Sequence, residues 1–322
     1  MIEYSVIIPT YKGFKRLSIV LNSLCRQSVA KEKIEVIVVN DGSPGLSKNA
    51  IDSLCRFYAE LNLRVLHMPV NRGPAAARNF GVANSIGKII FFTDDDCEIP
   101  ALWMETHLNI YRDHSEISAI GGWYTFPLYM QRQNIYALFL ELRSQIVFYP
   151  FLYQAMDSNL FAERNERMPE AHLAFAAGNT ANFSIKRLVA AKVKFDERFI
   201  APGYEDSFYA TSIQKAGFIV YSIPFFVYNL KAMTLKNFIK TAISRGLGLY
   251  VFNRLMSLNT PFGQRMMRRK FIRYVKCKAT TSPLIRGKKI ALIFLVYIYF
   301  FIVTYFDFWY GRIYQRKRGV SL

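Results

Sequence analysis

The chain has 322 residues, of which 52% are hydrophobic and 16% aromatic, so a substantial core can be buried. Its four cysteines are widely spaced and form no CxxC pair, which argues against a disulfide framework and suits a reducing compartment. The formal net charge of +19 is unevenly distributed: residues 231–322 carry 19 Lys and Arg against a single acid, Asp307. Such a block predicts a surface for an anionic partner, either phospholipid head groups or nucleic acid.

The first hundred residues alternate apolar strands with amphipathic helices. Leu17, Val20, Leu21 and Leu24 recur with the i, i+3, i+4, i+7 spacing of a helix that packs on a sheet. Apolar strands joined by helices indicate an α/β fold whose parallel sheet is covered on both faces. The predicted strands are 5–9, 34–39, 64–68 and 88–93, and the predicted helices are 17–24, 47–60 and one that starts near Pro74.

Residues 100–230 show a less regular pattern of apolar and polar positions. We expect core packing for the aromatic stretch within this part, and no internal repeat is visible. The predicted elements are a helix at 103–111, a turn at Gly121-Gly122, the aromatic amphipathic stretch at 134–153, a strand at 179–185, a loop at 202–204 and a helix at 206–216.

The basic C-terminal block contains an apolar run at 290–310 with one charge, flanked by Lys and Arg on both sides. Its 21 residues are just long enough to cross a bilayer as a helix. Basic flanks and aromatic residues near both ends favour a membrane helix over a buried core helix. Two arrangements stay open, a full span and a helix lying in the inner leaflet. The apolar run also favours lipid over nucleic acid as the anionic partner.

Acidic side chains follow two of the predicted strands. Asp41 ends the second strand, and Asp94, Asp95 and Asp96 end the fourth. Ligands bind beyond the carboxyl ends of the strands in an open parallel sheet, so both groups should lie on one rim. Three adjacent carboxylates repel each other and need a compensating cation, and Mg²⁺ or Mn²⁺ with oxygen ligands is the natural one. A solvated acidic loop is the alternative interpretation.

Six segments in order over residues 4–230 resemble the family-2 glycosyltransferases, which are inverting enzymes of the GT-A fold. The resemblance implies a Rossmann-like, mostly parallel sheet flanked by helices. Any one segment alone would be a weak signal, whereas six in the right order and spacing are a strong one. The segments are SVIIPTYKG from residue 5, VNDGSP at 39–44, NRGPAAARN at 71–79, FFTDDDCEIP at 91–100, AAGNTANFSIKR at 176–187 and FDERFIAPGYEDSFYATSIQKAGF at 195–218.

The same resemblance implies roles for single residues. Asp41 would bind the nucleotide base, Asp94 would face the ribose, and Asp206 would take the proton of the attacking acceptor hydroxyl. The implied donor or nucleotide contacts are Pro9, Thr10, Tyr11, Asp41, Arg78, Asn79, Asp94 and Asp95; the implied metal ligand is Asp96, with Asp94 as a second candidate; the acceptor side is Gly178, Asn179 and Glu205; the catalytic base is Asp206.

The chain departs from the family pattern at two points. No histidine follows position 172, and Asn229 stands near the place where many relatives keep a histidine that completes the metal shell. The QxxRW element of processive polysaccharide synthases is also absent, and with a single apolar run a channel-forming polymerase is not expected. The sequence therefore leaves open which group completes the metal shell in place of that histidine.

We expect residues 1–230 to form the catalytic domain, with a nucleotide-binding half at 1–100 and an acceptor-binding half at 101–230. Residues 231–285 would form a basic amphipathic helical region and 286–322 a membrane helix with basic flanks. The predicted reaction moves a sugar from a nucleotide-diphosphate donor, most simply a UDP-sugar, to a hydroxyl of a glycan or polyprenyl-linked acceptor. The predicted place is the cytoplasmic face of the cell membrane, on anionic lipid, in cell-surface polysaccharide or glycan biosynthesis.

Two other functions are compatible with parts of this pattern. A nucleotidyltransferase-like sugar-nucleotide enzyme would share the sheet and the acidic metal site, but would carry a glycine-rich basic loop near its N-terminus, which SVIIPTYKG is not. A non-catalytic, membrane-anchored binding module would be indifferent to the loss of Asp206.

Overall fold

A computed structural model describes residues 1–45, 47–156, 179–256 and 262–307. Among these residues the chain divides into two compact units. The first holds residues 1–125, 179–200 and 205–231, and the second holds 126–156, 201–204, 232–256 and 262–307.

The alternation of strands and helices predicted for the first hundred residues is confirmed. Strands β1, β2, β3 and β4 run parallel, with β1 between β2 and β4. Every residue of β2 is buried, because both faces of that strand are covered. Ser47 caps α2 through the Ala50 amide, and Pro74 occupies the first turn of α3. The elements are β1 (Tyr4–Thr10), α1 (Leu17–Cys25), β2 (Ile34–Asp41), α2 (Lys48–Phe57), β3 (Leu63–Met68), α3 (Pro74–Ala83) and β4 (Ile89–Phe92).

The sheet continues past β4 and becomes mixed. Within the described residues it has eight strands, in the order β3-β2-β1-β4-β7-β6-β8-β5. β7 is antiparallel to β4 and β6, whereas β6 and β8 are parallel. The added elements of the first unit are β5 (Cys97–Glu98), α4 (Trp103–Asp113), β6 (Ile117–Thr125), β7 (Phe183–Lys186), α7 (Arg187–Lys192), α8 (Glu205–Lys215) and β8 (Ile219–Asn229).

The turn predicted at Gly121-Gly122 is wrong, because both glycines lie inside β6. A Cβ on Gly122 would come within 2.2 Å of Nδ2 of Asn182, so glycine here permits a close side-chain approach rather than a turn. Asn182 is buried and donates Nδ2 to the carbonyls of Trp123 (3.0 Å) and Phe225 (2.8 Å). The strand predicted at 179–185 is shorter than expected, because residues 180–182 form a 3₁₀ turn that positions this asparagine.

No strand was predicted where β8 lies. Proline is rare within a strand because it cannot donate to the ladder, and Pro224 stands in the middle of β8. The pairing of β6 with β8 shifts register between Gly121, opposite Ser222, and Trp123, opposite Phe226. Pro224 therefore lies in the interruption, where no ladder hydrogen bond is lost.

The second unit is helical. Its core is an aromatic cluster in which the ring of Phe139 lies 5.2 Å from that of Phe238, 4.9 Å from that of Phe271 and 5.2 Å from that of Tyr299. The core packing expected for the aromatic stretch is therefore confirmed at Phe139. The helices are α5 (Leu128–Gln133), α6 (Ile135–Met156), α9 (Leu235–Leu255), α10 (Phe262–Thr281) and α11 (Pro283–Tyr305).

Helix α11 is the one described helix that is long and apolar enough to cross a membrane. It contains most of the apolar run predicted at 290–310, of which residues 308–310 lie outside the described part. Gly246 of α9 lets this helix approach closely, since a Cβ there would come within 2.8 Å of the carbonyl oxygen of Val303.

Candidate active site at the carboxyl rim of the sheet

The predicted acidic residues meet where the parallel strands end. Thr10 and Asp41 are the last residues of β1 and β2, and the run Asp94–Asp96 follows β4. Parallel pairing of β1 with both neighbours sets these ends side by side on one rim. The rim is therefore the candidate site.

Asp95 is fixed by its protein neighbours. Its carboxylate accepts a 2.6 Å hydrogen bond from the hydroxyl of Thr10 and forms a 3.0 Å ion pair with Arg16. A Cβ on Gly13 would come within 1.7 Å of Oδ2 of Asp95, so only glycine allows the loop after β1 to pass this close. Asp95 thus holds the loop after β1 to the acidic run. Arg16 carried no sequence signal that marked it as part of the site.

Asp96 is 7% exposed and lies beside the end of β8. The amide of Asn229 donates to its Oδ1 at 3.4 Å, and the Leu230 amide donates to its backbone carbonyl at 2.8 Å. Burial, together with the charges of Asp94 and Asp95, raises the pKa of Asp96 to about 7, although the charge of Lys231 opposes the shift. The positive charges of Lys231 and Arg16 therefore do not offset the burial of Asp96 and the repulsion from its acidic neighbours.

The donor atoms fit a divalent cation. One ligand atom each of Asp94, Asp96 and Cys97 lies within 4.8 Å of the other two. The two carboxylates are the hard oxygen ligands that Mg²⁺ and Mn²⁺ prefer, whereas the buried thiol of Cys97 has its pKa raised well above the usual value and suits them poorly. A cation held by the carboxylates would relieve the repulsion that raises the pKa of Asp96.

Arg78 connects the acidic run to the start of α8. Its guanidinium pairs with Asp94 at 3.1 Å and with Glu205 at 3.1 Å, and its side chain is 4% exposed. The charges of both acids, together with that of Asp206, stabilise the buried cation. The sequence placed Arg78 at the nucleotide and Glu205 at the acceptor, and it gave no sign that they form a pair.

Asp206 lies in the first turn of α8, where acidic residues are favoured by the helix dipole. Its Oδ1 accepts a 2.7 Å hydrogen bond from the Ser207 amide. Burial raises the pKa of Asp206 to about 7, with a further contribution from the charge of Glu205, while Arg78 opposes the shift. A carboxylate with this pKa accepts a proton readily near neutral pH.

Asp41 holds a loop that follows β3. Its carboxylate accepts hydrogen bonds from the Arg72 amide (2.8 Å), the Gly73 amide (2.9 Å) and Nδ2 of Asn71 (2.9 Å). Burial raises the pKa of Asp41, although the two backbone hydrogen bonds oppose the shift. Gly73 has a φ of +91°, and a Cβ there would come within 2.3 Å of the carbonyl oxygen of Ile200.

The other predicted site residues are spread along the same unit. Asn79 exchanges hydrogen bonds of 2.9 Å with the backbone of Phe195, so it holds the segment that leads to α8. Pro9 lies near the end of β1, and Tyr11 is 44% exposed just beyond it. Asn179 caps the 3₁₀ turn by accepting from the Ala181 amide at 3.1 Å. Gly178 lies outside the described residues.

Comparison with known proteins gives a consistent result. The family model described as "Glycosyl transferase family 2" matches residues 5–162. Glycosyltransferase AglE of Haloferax volcanii is 33% identical over 125 residues, which are 38% of this chain and 40% of that protein. The poly(ribitol-phosphate) beta-N-acetylglucosaminyltransferase TarS of Staphylococcus aureus is 34% identical over 97 residues, which are 30% of this chain and 16% of TarS. The matches thus span less than half the length of these relatives.

Solved structures match over nearly the whole chain. The mannosyltransferase PcManGT of Pyrobaculum calidifontis, in complex with GDP-Man and Mn²⁺, superposes with a TM-score of 0.62 at 17% identity, over 95% of this chain and 87% of that one. Residues 1–349 of S. aureus TarS in complex with UDP-GlcNAc give a TM-score of 0.52 at 14% identity, over 99% of this chain and 92% of that one. The likeness shows the GT-A fold that was expected.

Proposed function

Because the chain belongs to glycosyl transferase family 2 through residues 5–162, we propose that it moves a sugar from a nucleotide-diphosphate donor to an acceptor hydroxyl, with inversion at the anomeric carbon. The observation that carries this proposal is the convergence on one rim of two acid groups. One is the run that ends β4, which suits a metal and a diphosphate, and the other is Asp206, whose raised pKa suits a base.

The donor would lie along the rim formed by β1, β2 and β4. Asp96, with Asp94, would hold a Mn²⁺ or Mg²⁺ ion, which supplies charge neutralisation to the departing nucleoside diphosphate. Asp41, in its loop with Asn71 and Gly73, would face the base. A sugar nucleotide as donor is supported by the complexes of PcManGT with GDP-Man and Mn²⁺ and of TarS with UDP-GlcNAc. Among the sugar nucleotides we propose a UDP-sugar.

The acceptor hydroxyl would lose its proton to Asp206. Its raised pKa keeps the carboxylate basic enough to take the proton as the oxygen attacks the anomeric carbon, a contribution typically worth about 10²–10⁴ in rate. One base and one direct displacement invert the configuration. Arg78 would hold Glu205 in place beside this base through their 3.1 Å ion pair.

We further propose a glycan or polyprenyl-linked acceptor and a place at the cytoplasmic face of the cell membrane, in cell-surface glycan assembly. The name of TarS, a poly(ribitol-phosphate) beta-N-acetylglucosaminyltransferase, supports a surface polymer as product. In this scheme residues 1–230 form the catalytic domain, while 231–285 and 286–322 associate with anionic lipid.

The proposal is tested by hydrolysis of a panel of UDP-, GDP- and dTDP-sugars with Mn²⁺. Wild type is compared with Asp96→Ala and Asp206→Asn. Asp113→Asn serves as the matched control because its carboxylate is 61% exposed and its ion pair among the described residues is with the neighbouring Arg112. We expect one donor to be cleaved by wild type and the control, and a loss of at least about 10² in both site variants. Activity that survives both chelation and Asp96→Ala would overturn the metal assignment.

A further inference from the structure

Helix α11 carries a continuous row of large apolar side chains on its exposed face. At about 100° per residue they fall within an arc of about 80°. We call this row the exposed stripe; its side chains are between 45% and 86% exposed, which is unusual for residues of this size. The exposed stripe consists of Ile290, Phe294, Tyr297, Phe301 and Tyr305.

The opposite face of α11 is packed inside the second unit. Tyr299 is 1% exposed, and its ring lies 5.2 Å from that of Phe139 and 5.8 Å from that of Phe238. Phe300 contacts Phe271 of α10 at 6.4 Å. The helix therefore has protein on one side and an apolar surface on the other.

This packing argues against a full membrane span. A spanning α11 would take its neighbour α10 with it, because the two pack together and are joined by Ser282 alone. Helix α10 carries seven Lys and Arg and no acid, and Arg269, Arg273 and Lys276 are exposed on it. Charged side chains facing hydrocarbon are very costly, so α10 belongs in water or among head groups. If α11 instead crossed the membrane alone, it would leave the aromatic core around Phe139 uncovered.

Cations border the exposed stripe. The guanidinium of Arg268 lies 5.3 Å from the ring of Tyr297, and Arg286 precedes Ile290 by four residues on the same side of the helix. An apolar row edged by basic residues is the arrangement of helices that lie in the interface of anionic membranes.

We propose that α11 lies in the plane of an anionic bilayer, with the exposed stripe in the boundary between head groups and acyl chains and with α10 on the water side. The side chains of the exposed stripe penetrate the bilayer, while the backbone of α11 stays at its surface. The basic residues beside the stripe contact lipid phosphates. The inference rests on the membrane placement in the proposed function and deepens it, but it is independent of the transfer reaction, so binding and donor hydrolysis are scored separately.

The first experiment is flotation of the full chain with vesicles of phosphatidylcholine alone or with about 30% phosphatidylglycerol. The test variant combines Ile290→Gln, Phe294→Gln and Phe301→Gln, and the matched control combines Phe57→Gln, Ile86→Gln and Leu188→Gln, which are 78%, 62% and 79% exposed in the first unit. We expect anionic vesicles to bind wild type and control alike, salt to weaken binding, and the test variant to bind at least about tenfold less. Equal losses in both variants, or no binding by wild type, would overturn the proposal.

The second experiment measures depth. Nitroxide labels are placed by Ile290→Cys, Tyr297→Cys and Tyr305→Cys in a Cys277→Ser background, since Cys277 is exposed. A helix lying in the plane gives three similar, shallow depths. A spanning helix places position 297 about 10 Å deeper than the other two, because seven or eight residues separate it from them. That graded profile would refute the in-plane arrangement even if flotation succeeds.

Discussion

Arg78 and Glu205 form a buried ion pair, with Nη1 and Oε1 3.1 Å apart and the side chains only 4% and 5% exposed. The pair joins the helix that follows β3 to the helix that begins with the proposed base. Since a second nitrogen of Arg78 binds Asp94 at 3.1 Å, one cation serves two acids that lie far apart in the sequence. The rim is thereby held together by charge as well as by the sheet.

Removing the charge of Glu205 should destabilise the fold. Glu205→Gln leaves Arg78 buried with one acid fewer, and breaking a buried pair from one side costs about 3–5 kcal/mol. Asp113→Asn removes an acid from the exposed pair with Arg112 and should cost less than about 1 kcal/mol. Urea unfolding of the three proteins measures both values. A Glu205→Gln protein as stable as wild type would show that the pair adds nothing to stability.

Replacing Asp206 should have the opposite effect on stability. Its folded-state pKa of about 7 lies above the ordinary value of 3.8, so its contribution to stability is present below about 4 and is lost as pH rises through 7. At pH 8 wild type holds an ionised, poorly solvated carboxylate, and Asp206→Asn should be more stable by roughly 1–2 kcal/mol. At pH 4 the difference should vanish. Thermal unfolding at the two pH values checks both statements.

The same pKa gives the pH dependence of the proposed reaction. A base must be deprotonated to act, so the turnover rate of wild type should rise as pH increases through about 7 and then level off. Asp206→Asn should lose about 10²–10⁴ in rate, and its residual rate should lack this rise. Donor turnover measured from pH 5 to pH 9 at saturating Mn²⁺ tests the assignment, and an unchanged profile in the variant would contradict it.

The neighbouring acids of the run should differ in what they bind. Asp96→Ala should weaken Mn²⁺ binding by at least about tenfold, because a hard oxygen ligand is lost. Asp95→Asn should leave Mn²⁺ binding within a few-fold, since Asp95 is already engaged by Thr10 and Arg16. It should instead lower the unfolding midpoint by loosening the loop after β1. Calorimetric Mn²⁺ titration measures the metal role of Asp96, and thermal unfolding measures the structural role of Asp95. Weaker Mn²⁺ binding by Asp95→Asn than by Asp96→Ala would refute this assignment of roles.

Two glycines with positive φ should respond differently to alanine. Gly73→Ala would place its Cβ 2.3 Å from the carbonyl oxygen of Ile200, whereas Gly45→Ala meets nothing within 4 Å. Both pay the cost of a left-handed backbone, about 1–2 kcal/mol, but only Gly73→Ala also displaces the loop held by Asp41. We expect Gly73→Ala to unfold more readily and to bind UDP less tightly than Gly45→Ala. Equal effects would show that the close approach is unimportant.

The sequence predicts the parallel half of the fold well because local pattern and tertiary packing agree there. Apolar strands end in Asp41 and in the Asp94 run, and both ends lie on one rim as expected. The other half defeats local reasoning. Gly122 looks like a turn residue, but it is a glycine within a strand that allows the close approach of Asn182. Pro224 argues against a strand in the sequence, yet it lies in β8 where the pairing with β6 is interrupted.

The site was predicted residue by residue but not as a network. Sequence motifs give residue types at fixed spacings, whereas the pair between Arg78 and Glu205 depends on where two helices begin in space. Likewise, nothing near Arg16 in the sequence marks it as the partner of Asp95. Side-chain partners across elements follow from topology, and topology follows from the whole chain.

The close contact of Gly246 in α9 with α11 determines how a detergent-free form of this protein can be designed. Val303 approaches Gly246 so closely that no larger residue fits, and Tyr299 fills the aromatic core beside Phe139. Cutting the chain before α11 to obtain a detergent-free protein would uncover these aromatic rings and promote aggregation. A soluble form is better sought by making the outer face of α11 polar while its inner face is kept.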